Sequence, residues 1–366
     1  MQRIDINTEQ RSYEAIIEPG ILRSAGALLR EKIPSAKRVF CVSVAKVRRI
    51  YGPALAESMK AAGLEYQVVE MPDGERYKRL STVDDLAEKL VKAGADRNSV
   101  VVALGGGVVG DVAGFLASIY MRGIPCVQIP TTFLAQVDSS VGGKTGVDLK
   151  AGKNLLGTFS QPNVVLIDPE VLASLPERDF RAGLFESLKA GVICSDKVFA
   201  FMEVSRDRIL RRDPEALQWL IAESVRIKAD VVCKDEREAG LRRILNFGHT
   251  IGHALEAETE YKHFLHGEAV AWGMIASTMI SVGMQKTSSL VAQRIISSIL
   301  ALAALPAVDV KSRNVLKRLA QDKKTIDGKV HFVLPIEIGK VEIVNEVPER
   351  AILQSVEELR MMSHLA

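Results

Sequence analysis

With 366 residues, 47% of them hydrophobic and 25% charged, the chain has the make-up of an ordinary globular protein with room for two domains, which excludes disordered and fibrous classes. The formal net charge is only +3 and no basic cluster is interleaved with aromatics, so no nucleic-acid partner is expected, while an anionic small molecule remains compatible. Cys41, Cys126, Cys194 and Cys233 lack paired spacing, and three sit in apolar runs; they are expected to be reduced, buried thiols of a cytoplasmic protein, not a disulfide frame or a zinc cage.

The opening segment, Met1 to Asn7, lacks the apolar core of a signal peptide. From Gln2 to Ile17, polar and apolar residues alternate on either side of Asn7–Arg11, which predicts a hairpin. After Pro19-Gly20 comes a helical pattern (Leu22, Ala25, Leu28, Leu29), then a buried strand at Val39–Val44. The alternation continues with a helix over Val47–Ala62, a strand at Tyr66–Glu70, a helix over Thr82–Ala93 and a strand at Val100–Leu104. Further strands are predicted at Cys126–Ile129 and Val164–Ile167. Continuous valine-rich runs between amphipathic helices predict a parallel sheet covered on both faces.

Past Pro176 helical periodicity takes over, through Asp179–Cys194, Asp196–Leu210, Pro214–Cys233, a histidine-rich window and Thr287–Ala304. Val330–Leu334 and Val341–Val344 predict a small late hairpin, and a closing helix follows Pro348. The expected division is therefore an α/β domain over 1–176 and a mostly α-helical domain over 177–366. The longest apolar run, Ala269 to Val282, is too short and too spotted with Gly and Ser to span a bilayer. It predicts a central core helix, and no membrane partner is expected.

Five stretches carry the chemistry. Gly105, Gly107 and Gly110, directly after a strand, fit G-x-G-x-x-G, read either as a loop that lets a backbone approach a pyrophosphate or as a tight strand-to-helix turn. No acid follows about 20 residues on, as the usual fingerprint requires. Asp111 in the first turn would repel a phosphate, so a ligand hydroxyl or amide suits it better. Downstream, Gly143-Lys144-Thr145 invites a P-loop reading that fails, because Asp138 stands where that motif needs its first glycine. What remains is a Gly/Ser-rich loop with Lys144, Lys153 and Asn154; with Arg122 it gives three cations near the expected open edge of the sheet, either phosphate donors or a solvated basic loop.

In the helical half, Glu186 and Lys189 lie three apart on one helix face, either a surface ion pair or a carboxylate available to a metal. Lys228 and the charged run Asp235–Arg242 lead into Asn246, a solvated face or a source of acid/base groups and anion clamps. Of six histidines, four (His249, His253, His263, His266) fall between Asn246 and Glu268. His249 and His253 leave the same helix face one turn apart, and His266 opens the next apolar helix, from which it can fold back. With a carboxylate they would make an open divalent-metal site; the bland alternative is a pair of surface histidines. The helix-weakening Gly248, Gly252 and Gly267 favour the metal, because they imply close approach of something to the backbone.

Taken in order, Asp73–Lys78, Gly105–Asp111, Arg122, Pro130–Thr132, Asp138–Thr145, Gly152–Asn154, Glu186–Lys189, Asn246–His253 and His266–Glu268 resemble the 3-dehydroquinate synthase family of sugar-phosphate cyclases over nearly the whole chain. The resemblance implies an N-terminal Rossmann-like domain, a helical C-terminal domain, an active site in the cleft between them, and commonly a homodimer. It implies NAD and a divalent metal, zinc or cobalt, with Glu186, His249 and His266 as metal ligands and His253 and Glu238 in proton transfer. Asp138, Arg122, Lys144, Asn154, Lys189, Lys228, Arg242 and Asn246 match substrate contacts, of which Asp138, Lys144 and Lys189 are grouped with the catalytic residues; Lys323 or Lys324 is expected to join them. Asp73, Glu75, Lys78, Gly106, Gly107, Val108, Asp111, Thr131, Thr132 and Lys153 match cofactor contacts. Ser43 departs from the pattern, where relatives often carry Asp or Asn to meet the adenosine ribose.

The implied substrate is a sugar phosphate, 3-deoxy-D-arabino-heptulosonate 7-phosphate. It would become 3-dehydroquinate and phosphate through transient NAD-dependent oxidation, phosphate elimination, re-reduction, ring opening and intramolecular aldol closure. That is a lyase reaction of the shikimate pathway and aromatic amino-acid biosynthesis. The rival expectations are a cyclase acting on another sugar phosphate and an NAD- and metal-dependent polyol dehydrogenase.

Overall fold

The computed structural model describes residues 1–323 and 330–364. By packing, the chain divides into two compact units: 1–176 with 217–237, and 177–216 with 238–366.

The first unit opens with β1 (Gln2–Asn7) and β2 (Ser12–Ile17), paired antiparallel as the alternation predicts. There follow α1 (Ala25–Lys32), β3 (Arg38–Ser43), α2 (Ala45–Ala61), β4 (Glu65–Glu70), α3 (Leu80–Lys92), β5 (Val100–Gly105), α4 (Gly107–Ile119) and β6 (Cys126–Pro130). A separate hairpin, β7 (Lys144–Leu149) and β8 (Gly152–Phe159), precedes β9 (Val164–Ile167). The seven-stranded sheet has the order β1-β2-β9-β6-β5-β3-β4, parallel everywhere except β1–β2.

Every residue of β5, β6 and β9 is buried, which explains the unbroken apolar runs of β5 and β9. Alternation inside the runs sorts side chains between the faces. Cys41, Val100, Val102 and Leu104 pack with α1 and α2 residues such as Leu29 and Leu55, whereas Phe40, Val42, Val101 and Ala103 pack with α3 and α4 residues such as Leu86 and Leu116.

The second unit begins with α5 (Glu177–Cys194), α6 (Asp196–Val204) and α7 (Arg206–Leu210). The single helix expected over Asp196–Leu210 is thus two, broken at Ser205. The long α8 (Pro214–Lys234) packs from Leu217 onward in the α/β unit, not in the helical half where its place in the sequence puts it. Polar contacts tie it there: Lys228 donates to Asp138 Oδ1 at 2.6 Å, and Glu236, just past the helix end, accepts from Gln161 Nε2 at 2.8 Å and from the Gln10 amide at 3.1 Å.

The chain then continues through α9 (His249–Glu258), α10 (His266–Gly283), α11 (Ser289–Leu302) and α12 (Ser312–Lys323). It ends with the hairpin β10 (Phe332–Glu337) and β11 (Lys340–Val344) and α13 (Glu349–Ser363). α10 is the expected core helix, packed against α5, α9, α11 and α13. Among the described residues no helix is long and apolar enough to cross a membrane. Cys41 and Cys126 are buried as expected, but Cys194 and Cys233, each at or near the end of a long helix, are exposed.

Candidate metal centre and cofactor cradle

In the helical unit three helices bring their functional side chains together. α5 is buried along most of its length, and Glu186 and Lys189 point inward, each 3% exposed and paired with one another. The surface-pair alternative for these two is therefore not what forms. His249 is the first residue of α9, and His266 the first of α10. Oε1 of Glu186 lies 3.9 Å from His249 Nε2 and 3.7 Å from His266 Nε2. His253 stands one turn along α9, and one ligand atom from each of His249, His253 and His266 falls within a 4.8 Å group. His263 stays apart, its Nε2 2.9 Å from the Ala307 carbonyl oxygen.

Backbone contact fixes these spacings. A Cβ on Gly267 would sit 1.9 Å from the carbonyl oxygen of Ala182, one turn before Glu186, so only glycine lets the start of α10 touch α5 there. Gly248 takes the left-handed φ of 81° before α9, and a Cβ on it would lie 2.6 Å from the Val270 carbonyl oxygen. The close approach implied by these glycines is that of one helix backbone to another.

The electrostatics suit a cation. Burial, then Lys189, His253 and His266, hold the His249 pKa well below the ordinary histidine value and keep its imidazole neutral. Burial is the largest effect on His266 and opposes its charge, but the hydrogen bond it donates to Glu256 and the negative charges of Glu256 and Glu186 together outweigh it, and the net shift is upward. Glu186 Oε1 is buried with no hydrogen-bond partner among the described residues. An orphaned buried carboxylate oxygen facing two imidazole nitrogens is the donor set of a divalent cation such as zinc or cobalt, so the residues fit the metal.

Asn246 donates from Nδ2 to Oε1 of Glu238 at 2.7 Å, and Glu238 itself holds a φ of 60°. Between them, in a 3-10 turn over Leu241–Asn246 that packs against α5, Arg242 is 2% exposed. Lys324 lies outside the described residues.

In the α/β unit the glycine motif is the junction of β5 and α4, with Gly106 capping the helix and Gly107 and Val108 in its first turn, where the amides have no partner within the helix. The Thr131 amide donates to the Gly105 carbonyl at 2.9 Å, which sets Thr131 and Thr132 beside the motif, and a Cβ on Gly106 would meet Thr132 Cγ2 at 2.9 Å. Register puts Ser43 opposite Leu104, whose carbonyl accepts the Ser43 hydroxyl at 2.7 Å. The junction fits a dinucleotide: helix-start amides with no intrahelical partner, beside the side-chain-free backbone of Gly105–Gly107.

Asp111 is met by Lys78 Nζ at 2.5 Å, and the same ammonium donates to Asn154 Oδ1 at 2.6 Å. Desolvation works against charge on Lys78, yet Asp111 beside it holds its pKa above the ordinary value. Lys153 Nζ lies 3.2 Å from Glu75 Oε1, and Asp73 is exposed just before that turn. Lys228 reaches from α8 to Asp138, donating to Oδ1 at 2.6 Å and to the carbonyl at 2.5 Å. Asp138 sits in a π-helical turn over Ala135–Ser139 that no sequence signal announced.

The Gly/Ser-rich stretch from Ser140 to Gly143 is a loop as expected, but it leads into the β7–β8 hairpin, which carries Lys144 at its open end and Lys153 near its turn. Arg122 is exposed beyond the C-terminal end of α4, whose thirteen residues put it about 20 Å from the helix start.

A family model described as the N-terminal part of 3-dehydroquinate synthase matches residues 68–182, and one described as its C-terminal part matches residues 183–325. The chain belongs to the 3-dehydroquinate synthase family. It is 58% identical over 363 residues to the 3-dehydroquinate synthase of Koribacter versatilis, covering 99% of each chain. Against that of Solibacter usitatus it is 49% identical, covering 96% of this chain and 97% of the relative.

Among solved structures, a 2-epi-5-epi-valiolone synthase from Streptomyces hygroscopicus with NAD+ and Zn2+ bound superposes with a TM-score of 0.88 at 30% identity, over 99% of this chain and 100% of that one. A 2-deoxy-scyllo-inosose synthase complexed with carbaglucose-6-phosphate, NAD+ and Co2+ gives 0.88 at 28% identity, over 98% and 99%. Glycerol dehydrogenase from Schizosaccharomyces pombe, at 15% identity and a TM-score of 0.64 over 96% and 89% of the two chains, shares the fold alone. The two-domain plan, an α/β parallel-sheet domain and a mostly helical one, is the plan of these cyclases.

Proposed function

We propose that the chain is a 3-dehydroquinate synthase, a carbon–oxygen lyase that converts 3-deoxy-D-arabino-heptulosonate 7-phosphate to 3-dehydroquinate and phosphate. The observation that carries this reading is the convergence of buried Glu186 on His249 and His266 in a chain 58% identical to a 3-dehydroquinate synthase over its whole length. In this reading Glu186, His249 and His266 hold a zinc or cobalt ion, while Gly106, Gly107, Val108, Thr131, Thr132, Asp111, Lys78, Asp73, Glu75 and Lys153 hold NAD. When bound, the cation supplies Lewis-acid polarisation of a substrate hydroxyl, and NAD supplies a hydride acceptor that is regenerated in each turnover.

The chain's own residues do the rest. Lys189, Lys228 and Arg242 are each at most 8% exposed, and buried cations of this kind suit a substrate carrying both phosphate and carboxylate. They suit a neutral polyol poorly, which disfavours the dehydrogenase. Asp138, held by Lys228, and Asn246, held by Glu238, orient substrate hydroxyls; Lys144, Asn154 and Arg122 add contacts to its anionic groups. His253 and Glu238 move protons in the elimination and ring-opening steps. The protein acts in the cytoplasm, as a homodimer.

One assay tests this. The heptulosonate phosphate is added with catalytic NAD+ and Zn2+ or Co2+, and phosphate and NADH absorbance are followed together. Phosphate released over many turnovers without net NADH supports the lyase. Stoichiometric NADH would make the protein a dehydrogenase, and no reaction with metal and NAD+ bound would assign it another sugar phosphate.

A further inference from the structure

A metal-binding imidazole has two nitrogens, and the partner of the one turned away from the metal decides which tautomer is available. His249 Nδ1 lies 3.2 Å from the carbonyl oxygen of Phe247. His266 Nδ1 lies 3.3 Å from Oε2 of Glu256. The opposite nitrogens, both Nε2, face the same oxygen of Glu186. A carbonyl only accepts, so His249 donates from Nδ1 and keeps its Nε2 lone pair free for a cation. Glu256 does the same for His266 with a charged acceptor, which raises the basicity of the ring it holds.

Glu256 is 2% exposed and lies seven residues beyond His249, two turns down the same face of α9. A buried carboxylate is costly without a charged or hydrogen-bonding partner, and His266 is a partner in place. No step of the proposed reaction uses it. A second carboxylate fixes the backbone on which His266 rides. Glu268 takes a two-pronged bond from Arg178, at 2.7 and 2.8 Å, and accepts the Leu265 amide at 2.8 Å just before α10 begins. With the helix start held, ring rotation and tautomer are what Glu256 has left to settle.

We propose that Glu256 is a positioning residue of the metal centre: it holds His266 as the Nδ1–H tautomer, aims Nε2 beside Glu186, and thereby sets the affinity for a divalent cation. This rests on the reading of Glu186, His249 and His266 as cation ligands.

The test is titration of the metal-free full-length protein with Co2+, read by visible absorbance, and with Zn2+ by competition, alongside its thermal midpoint without metal. Glu256→Gln keeps an acceptor and loses the charge; its affinity should fall about 10- to 100-fold with the metal-free midpoint unchanged. Glu256→Asp, which restores the charge on a shorter arm, should recover part of the loss. Affinity of the Gln variant within about threefold of the parent, in a protein whose His249→Ala variant no longer binds, would overturn the role of Glu256 alone. Undiminished binding by His249→Ala would overturn the metal reading and this proposal with it. Should the Gln variant not fold, nitrogen-15 spectra of the Zn2+-loaded parent decide. A protonated Nδ1 on His266 is the expected result, and ligation through Nδ1 would refute it.

Discussion

At the scale of single residues, the sequence groups four histidines and the structure divides them. His263 faces a carbonyl outside the cluster, while His249 and His266 share Glu186. The roles proposed for His249 and His253 separate in one experiment. His249→Ala should lose metal affinity at least about 100-fold, and activity with it, because a missing ligand costs no less than a missing outer-shell partner. His253→Ala should keep the metal and lose about 10²–10⁴-fold in kcat, the usual worth of a positioned acid or base. Metal content by atomic absorption beside steady-state rates checks both, and equal metal loss in the two variants would end the division. Glu256 was out of reach of sequence reading: an acid seven residues from a histidine on an amphipathic helix reads as a solvated side chain until another helix is laid beside it.

At the scale of elements, glycines do more than the histidines to build the centre. Gly267 lets α10 start against α5, and the distance between His266 and Glu186 follows from that contact. Gly267→Ala would force a methyl to within 1.9 Å of a backbone carbonyl, and backbone yields less readily than a side chain. The variant should lose about 2–3 kcal/mol of stability by urea unfolding, and its remaining folded fraction should bind Co2+ more weakly. Unchanged stability and affinity would mean that the helices part without consequence. The element that sequence reading missed, the β7–β8 hairpin, failed for a related reason. Gly146 and Gly157 pair directly across its strands, and a Cβ on Gly157 would lie 2.1 Å from the Thr145 carbonyl oxygen. Glycines required by a close strand pair look like loop residues in one dimension.

At the scale of the whole molecule, the cysteines report how the core is closed. Burial pushes the thiols of Cys41 and Cys126 from an ordinary 9.0 up to about 12, whereas Cys194 and Cys233 are exposed. Native protein should therefore react with a thiol reagent at two sites and unfolded protein at four, counted by mass. The unfolded chain releases the Cys41 and Cys126 protons near the ordinary value and the native core holds them to about 12, so their contribution to stability is complete below pH 9.0 and is lost as pH rises between the two values. The slope is at most about 1.4 kcal/mol per pH unit for each thiol. A Cys41→Ala, Cys126→Ala double variant should show a shallower alkaline decline by urea unfolding, and an identical decline would show that these thiols do not govern it.

The sequence by itself determined the class of fold and most of its elements. Unbroken apolar runs such as Val100–Leu104 can be satisfied only inside a sheet covered on both faces, and the periodicity past Pro176 only by packed helices. It also pointed to the stretches that the structure gathers, because Glu186, His249 and His266 stand out from an ordinary background and converge in the fold. Only the tertiary structure decided who meets whom. That α8 packs with the α/β unit, that Lys228 holds Asp138 and that Glu256 stands behind His266 depend on contacts between residues far apart in the chain or on different helices. Local pattern constrains the face a residue occupies, and the packing of one backbone against another chooses its partner.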